Sequence, residues 1–413
     1  MDRATLRILA ARLISRTGGE AAFFVGIWGK AAFEFEATPG ELSVLMAALG
    51  LSGLAGAAFA GVLIDRYGPR RVLIVSEIAF VPVALSGAIA ADLFQLTLVS
   101  VGIGLVGTPT LTAIASFPPF LTDDEDRLGR INAWVETAGM AALISGAAAG
   151  ATLAGVWGLD SIFVFDAATS VVGAILAAGV TIRTVPERDR SRSGLSELRE
   201  GFSVVYSIRR LRFYVIAATS VWLMFGLFSA LEPLFYRDVL SSTPETMGWV
   251  NGIFGAGLLT GTIAATRLPS RFRGARTVIL LVMANGVGSV LYTGTALLAV
   301  VTLGAVVWGF IIGVFAPLVR TMIHLNTPEG MVGRVMGTTG VHSEFAKLLP
   351  LLAAPSLAVG LGVQASLAGS GIVVAALAVF AIRTAFSLDR TRDTAVPPIE
   401  TGTVADEPLT PNP

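Results

Sequence analysis

The chain has 413 residues, with 29 Lys+Arg against 29 Asp+Glu and no formal net charge; 54% of its residues are hydrophobic and 14% charged. A soluble domain carries about 25% charged residues, and a fold of this size with so little polarity would hold large apolar patches in water, so a soluble globular enzyme is excluded. Neutrality speaks against a nucleic-acid partner. The absence of cysteine removes disulfides and thiol chemistry, and two histidines distant from any partner set leave no catalytic or metal constellation and no cofactor to expect.

A helix that crosses a bilayer needs about 20 mostly apolar residues. Twelve stretches meet that demand: 7–33, 40–64, 72–91, 94–119, 130–156, 159–182, 212–236, 246–268, 276–296, 298–325, 332–358 and 363–384. Pro82, Pro109, Pro233, Pro317, Pro350 and Pro355 fall inside them, which lipid-embedded helices tolerate because neighbours re-satisfy the freed backbone. The first stretch carries Arg12, Arg16 and Glu20 and does not read as a cleaved leader. Placing the N-terminus in the cytoplasm puts 1–6, 65–71, 120–129, 183–211, 269–275, 326–331 and 385–413 there too; only Lys30, Arg237 and Lys347 among the basic residues then lie outside those segments or the helix halves adjoining them. The positive-inside rule therefore predicts two cytoplasmic termini.

The expected organisation is an N-terminal six-helix bundle (1–182), a cytoplasmic linker (183–211), a C-terminal six-helix bundle (212–384) and a polar, disordered tail (385–413). In the linker, Leu195, Leu198, Phe202 and Val205 recur at helical spacing among arginines. This reads as a basic amphipathic helix on the inner membrane surface, or as a regulatory docking site. The halves echo one another: Gly68 and Gly274 are 206 residues apart, Gly129 and Gly333 are 204 apart, and Pro109 and Pro317 are 208 apart. The fold expected is all-α, twelve transmembrane helices in two pseudo-symmetric six-helix bundles, with a substrate site between them near the midplane.

Gly61-Val62-Leu63-Ile64-Asp65-Arg66-Tyr67-Gly68-Pro69-Arg70-Arg71 resembles the signature loop of the major facilitator superfamily, Gly-x-x-x-Asp-Arg/Lys-x-Gly-Arg-Arg/Lys. Ala11-Arg12-Leu13-Ile14-Ser15, Leu128-Gly129-Arg130-Ile131-Asn132-Ala133, Arg237-Asp238-Val239-Leu240 and Gly333-Arg334-Val335-Met336-Gly337 resemble its macrolide-efflux and enterobactin-exporter branch. The likeness covers nearly the whole chain except the tail. It departs from antiporters of the superfamily where Gly139, Gly146 and Gly150 form the glycine run of the fifth stretch but Ala147 replaces its proline. The first stretch has Gly18-Gly19-Glu20 where the branch has Gly-Asp, and the fourth has no arginine.

The resemblance implies a secondary active exporter of bulky amphipathic compounds in a bacterial cytoplasmic membrane. It would be a monomer among lipids that takes a small-molecule substrate and exchanges it for protons, the proton gradient being its energy source. A siderophore or metabolite exporter is the alternative, and a non-transporting scaffold or sensor a second. The resemblance also implies a cytoplasmic latch: Asp65 against the start of the eleventh span at Gly333-Arg334, with Gly61, Arg66, Gly68, Arg70, Arg71, Glu77 and Arg130 around it. The plainer reading is that these arginines only fix topology.

Ionisable residues inside a membrane are functional hypotheses by default. Glu20 lies roughly 20 Å into its helix, either as a proton carrier or as a structural partner of Arg16. Glu136 reads equally as a proton site or as a bridge to Arg12 or Arg130. Asp166 reads as a structural polar contact, and Glu232, beside Pro233, as an interfacial carboxylate or an extracellular gate. Glu344 and Lys347 share a helix face and neutralise one another; Arg320 and His324 lie near a helix end. Residues expected around the substrate are Arg16, Phe24, Trp28, Trp222, Phe225, Glu232, Asn251, Arg320 and Glu344. Phe23, Phe228, Trp308 and Phe310 are further aromatics for an apolar pocket, or rings that face lipid. Glycine pairs at 146/150, 257/261, 309/313 and 333/337 allow close helix contact. The sequence contains no phosphate-cradling Gly-x4-Gly-Lys-Ser/Thr loop, nucleophile elbow or zinc-protease helix.

Overall fold

The structure is a computed structural model that describes residues 2–122, 124–181, 194–269 and 272–393. Among these, the chain forms thirteen α-helices: α1 (Arg3–Ala21), α2 (Pro39–Tyr67), α3 (Pro69–Ala88), α4 (Leu93–Ala115), α5 (Glu125–Trp157), α6 (Asp160–Ala178), α7 (Gly194–Ser207), α8 (Arg209–Leu234), α9 (Pro244–Thr266), α10 (Ala275–Thr293), α11 (Leu298–Leu325), α12 (Val332–Leu361) and α13 (Val363–Asp393). Two π-turns, Ala22–Ile27 and Lys30–Glu34, carry α1 onward, and Phe235–Val239 does the same for α8. With α7 set apart, twelve long helices remain, one on each expected stretch. The tail expected from 385 begins later: α13 runs on to Asp393, with Ala385 and Leu388 buried and Asp389 accepting from the Ala275 and Arg276 amides. The rest of the expected tail and the start of the expected linker lie outside the described residues.

Ten of the twelve are long and apolar enough to cross a membrane. The other two are α1, with its buried charges, and α9. Lipid-facing positions stay apolar, as at Val359 and Phe380, which are 87% and 83% exposed. All six helix-internal prolines sit within helices that continue through them.

Local chemistry sets the ends. Thr38 and Glu41 make a reciprocal capping box at the start of α2, and Pro39 occupies the first turn where its missing N–H is harmless. At the other end Gly68, with φ +78°, turns the chain and Pro69 opens α3. Gly158 after α5 and Gly362 after α12 turn the same way, with φ +80° and +85°, and lie 204 residues apart. Corresponding corners of the two halves thus use the same left-handed glycine.

Within the first half α1 packs on α5 and α6, α3 on α4 and α6, and α2 on α4; within the second, α8 packs on α12 and α13, α9 on α11, and α10 on α11 and α13. Glycines set how close these pairs come. A side chain at Gly146 would strike the Thr17 carbonyl and Glu20, and one at Gly150 would strike Val25, so α5 lies directly on α1. Gly257 and Gly261 of α9 meet the Val306 and Phe310 carbonyls, while Gly309 and Gly313 of α11 meet those of Phe254 and Leu258. The α2–α4 contact repeats this with Gly56 and Gly104. Gly333 and Gly337, by contrast, face open space and make no such contact.

The halves meet through α5–α9 and α2–α12, and mainly away from the face that carries the α2–α3 turn. Gly248 packs on Val25 and Ala151, and Gly255 on Leu143 and Ile144. At the far face, Arg237 donates to the carbonyls of Ala32 (2.7 Å) and Ala37 (3.1 Å) in the other half while it pairs with Asp238 at 2.6 Å. Lys30, 1% exposed, binds Asp160 at 2.6 Å and the Gly87 carbonyl at 3.3 Å, which ties α1 to the ends of α3 and α6. These two basic residues break the positive-inside pattern: Arg237 joins the two halves at the far face, and Lys30 ties together elements of the first half.

On the α2–α3 face the halves are apart: positions 61, 333, 337 and 340 all meet open space. The protein is open there and shut at the far face. Asp2 lies on the open face; hydrogen bonds from Thr5 hold its carboxyl below the usual aspartate range, and it also pairs with Arg127 of α5.

The linker helix differs from expectation. Gly201 of α7 sits against the Arg334 carbonyl and Thr338, Glu200 pairs with Arg334 at 3.0 Å, and Tyr206 is 3.0 Å from His342 Nε2. Its described apolar face, with Val205 buried, meets α12 and α8 instead of lipid headgroups.

Gly309→Val is expected to destabilise the purified protein by about 1–3 kcal/mol through overpacking, while Gly340→Val, in open space, stays within about 0.5 kcal/mol. Thermal denaturation in detergent compares the two.

Candidate functional site

Between the halves lies a cavity of two joined chambers, about 540 and 750 Å³, that share wall residues Phe23, Phe24, Leu49, Gly53, Thr108, Trp222 and Lys347. One chamber is charged and built almost wholly by the first half; the other is aromatic and built by both.

The charged chamber is lined by Arg12, Arg16, Glu20, Glu77, Asp166 and Ser170. Arg16 and Glu20, one turn apart on α1, form an ion pair at 2.5 Å, the structural alternative left open for Glu20. The Arg12 guanidinium lies beside Gly139, where a side chain would crowd it, and its Nε and Nη1 have no hydrogen-bond partner among the described residues. Glu136 is exposed and acts on Arg12 electrostatically, but does not line either chamber.

The aromatic chamber centres on Trp308, whose ring lies 4.8 Å from Phe228 and 5.5 Å from both Phe225 and Phe254. Gly288 leaves the room in which Trp308 packs. The first half contributes Phe23, Phe24 and Trp28, whose rings are 5.0–5.4 Å apart where α1 passes into its first π-turn. Such turns are frequent at functional positions. Glu232 accepts hydrogen bonds from Tyr292 (2.6 Å) and Asn251 (3.3 Å), and Tyr292 meets Tyr236 at 2.8 Å. Lys347 pairs with Glu344 at 2.6 Å and stands 5.1 Å from the Trp222 ring.

Of the nine residues expected around a substrate, Arg16, Phe24, Trp28, Trp222, Phe225, Glu232, Asn251 and Glu344 line the cavity. Arg320 does not; it is an exposed residue near the end of α11. Phe310 is 42% exposed and also lies outside. Tyr292 has no local link to Glu232, 60 residues away, whereas Tyr236, which meets Tyr292, lies four residues after Glu232 and could have been read from that spacing. Asp166, expected as a structural contact, lines the charged chamber.

The latch residues are dispersed in this open state. Arg334 holds Glu200, Gly333 faces open space, and Asp65 and Arg130 are exposed. Arg66 stands over the Tyr67 ring, and Arg70 donates to the Ala178 carbonyl at 2.5 Å, a cation at the C-terminal end of α6. Glu77 does not belong to this surface cluster. It is 1% exposed between α1, α3 and α6, because it lies eight residues past Pro69 and points inward.

Residues 8–349 match the sequence pattern of the Major Facilitator Superfamily. The chain belongs to that superfamily. It is 26% identical over 398 residues to the multidrug efflux pump Tap of Mycobacterium tuberculosis (strain H37Rv), covering 91% of this chain and 92% of that protein. It is 21% identical over 381 residues to the uncharacterized MFS-type transporter YfiS of Bacillus subtilis (strain 168), covering 88% of each. Among solved structures, a variant of the nucleoside transporter NupG superposes with a TM-score of 0.73 at 13% identity, over 93% of this chain and 100% of that one. A bacterial homolog of the lysosomal transporter Spinster gives 0.70 at 13% identity, over 94% and 98%. Both likenesses concern the fold. The protein is a multi-pass membrane transporter and not an enzyme.

Tyr292→Phe removes the shorter of two donors to a buried carboxylate and is expected to lower stability by about 1–3 kcal/mol. Glu232→Gln on that background should recover part of the loss in the same thermal denaturation experiment, because the charge is gone.

Proposed function

We propose that this transporter exports bulky amphipathic compounds from a bacterial cytoplasm in exchange for protons, by alternating access of the chamber between its two halves. The observation that carries this reading is the divided cavity: a ring-lined chamber of about 750 Å³ joined to a charged one. Stacked aromatics accept varied apolar bodies through area alone, without a fixed hydrogen-bond pattern. The similarity to a multidrug efflux pump supports the same substrate class.

The open face carries the α2–α3 turn and its arginines, so the positive-inside rule makes it the cytoplasmic face. A substrate then enters from the cytoplasm or inner leaflet and settles among Trp308, Phe228 and Trp28. The halves rock, the contacts that Arg237 makes with Ala32 and Ala37 part, and the α2–α3 turn closes on the start of α12. In that closed arrangement Asp65 meets the helix end at Gly333-Arg334, which exchanges its partner Glu200. A siderophore exporter would need a basic, anion-attracting wall. Here five acids (Glu20, Glu77, Asp166, Glu232 and Glu344) line the cavity against three bases (Arg12, Arg16 and Lys347).

Inverted membrane vesicles that hold the protein and are energised to acidify their lumen should accumulate ethidium, and collapse of the pH gradient should release it. Phe228→Ala and Trp222→Ala should each reduce the initial rate several-fold, roughly what 1–2 kcal/mol of lost ring contact implies. Accumulation that persists after the gradient collapses would refute proton exchange. Because the chain has no cysteine, Gly61→Cys with Gly333→Cys creates a unique pair on the open face. Joining the pair with a short bismaleimide should stop transport, and undiminished turnover would refute alternation.

A further inference from the structure

We propose that Asp166 and Glu77, buried together where α1, α3 and α6 meet, form the proton-binding site of the transport cycle; this rests on the proton-exchange reading above. Asp166 is 1% exposed, and neither of its carboxylate oxygens finds a hydrogen-bond partner among the described residues. Glu77 is also 1% exposed, with its Oε1 unpartnered. Both line the charged chamber, so the three bare oxygens lie where a proton arrives from the cavity.

The space around them is made by missing side chains. An added Cβ at Gly18 of α1 would stand 2.8 Å from Asp166 Oδ1, and one at Gly173 of α6 would stand 2.9 Å from Glu77 Oε1. Ser15 of α1 and Ser170 of α6 are the polar groups beside Glu77, while Thr169 turns its hydroxyl back to the Asp166 carbonyl. The charged groups on the surrounding elements are Arg12, Arg16 and Glu20 of α1, with Lys347 of α12 on the shared wall; α4 contributes only Thr108 and Thr110.

A buried carboxylate with no donor, as at Asp166, is costly when ionised, whereas Glu77 has the hydroxyls of Ser15 and Ser170 bonded to it. A proton on Asp166 removes that cost, and its departure restores it. Of the three acids in the charged chamber, Glu20 already has its counter-ion in Arg16, so its charge is compensated in place. Arg12 lines the same chamber with Nε and Nη1 unpartnered among the described residues, and the acids that act on it are Glu136 and Glu20. Asp166 abuts α1 itself at Gly18, so a change in its charge is felt by the helix that carries Phe23, Phe24 and Trp28 into the aromatic chamber. Proton and substrate would act on one element from its two ends. No group of three or more His, Cys, Asp or Glu side chains is placed to hold a metal ion among the described residues.

The test uses the purified full chain in proteoliposomes with ethidium as the probe, and compares downhill flux with flux driven by a pH gradient. The parent's own ratio decides proton exchange as such; a ratio of one would remove that reading, and the site with it. If the parent is driven by the gradient, Asp166→Asn and Glu77→Gln should lower the driven-to-downhill ratio by about tenfold or more, and Asp166→Glu should restore it. Should Asp166→Asn fail to fold, Glu77→Gln carries the same comparison. Parent-like ratios in both folded variants would overturn the assignment, as would loss of the ratio in Glu20→Gln alone. Drive by a sodium gradient instead of a pH gradient would overturn it as well.

Discussion

Helices in a bilayer gain little from hiding apolar side chains against each other, since lipid is as apolar as leucine; what holds them is how near their backbones come. This fold depends on that nearness. Gly146 and Gly150 bring α5 onto α1, Gly56 and Gly104 bring α2 onto α4, and four glycines interleave α9 with α11. The α2–α4 and α9–α11 contacts are equivalents in the two halves, with Gly104 and Gly309 separated by 205 residues. Gly333 and Gly337 share the spacing but touch nothing in this state. Close-packed glycines thus fix helices within each bundle and, at Gly248 and Gly255, join the two halves, while the idle pair at Gly333 and Gly337 marks a surface left free in this state.

The rigid halves are chemically unlike, and the cavity inherits the difference. The first half places arginines and acids around α1, α3 and α6; the second places rings around Trp308. α1 belongs to both chambers. Its lower part carries Arg12, Arg16 and Glu20, and its continuation through the π-turn at Ala22–Ile27 carries Phe23 and Phe24 within the turn and Trp28 just beyond it. One helix thus senses charge at one end and substrate at the other, a physical route for coupling without any contact between the two ligands.

Much of the fold is legible in the sequence because lipid imposes a simple rule of length and apolarity. The twelve stretches, the turn at Gly68-Pro69, the glycine pairs and the cavity residues on α1, α8, α9 and α12 follow from it. The remainder depends on which way a helix is rotated, and spacing alone does not encode that. Glu77 follows the basic turn closely in sequence, yet it faces α6. The apolar stripe of α7 is equally suited to lipid or to protein, and the fold gives it α12. Arg320 has the composition of a cavity residue but the azimuth of an exposed one. The Glu232–Tyr292 hydrogen bond joins helices whose proximity no local pattern records.

The acids show how local encoding and tertiary placement divide the work. Glu20 is the conspicuous one in the sequence, a carboxylate near the middle of a span; its neutralising partner is written one turn earlier as Arg16, and the two meet. Glu344 likewise has Lys347 three residues on. Glu232 has no charged neighbour on its own helix, and two other helices supply Asn251 and Tyr292 to it. Asp166 receives neither kind of help, and Gly18 keeps the adjoining helix from filling the space beside it. A valine or asparagine at that position would pack or bond more readily than a bare carboxylate. Evolution of the fold toward stability alone would have no use for the acid, so its presence beside the cavity is better explained by a charge state that changes during the cycle than by packing.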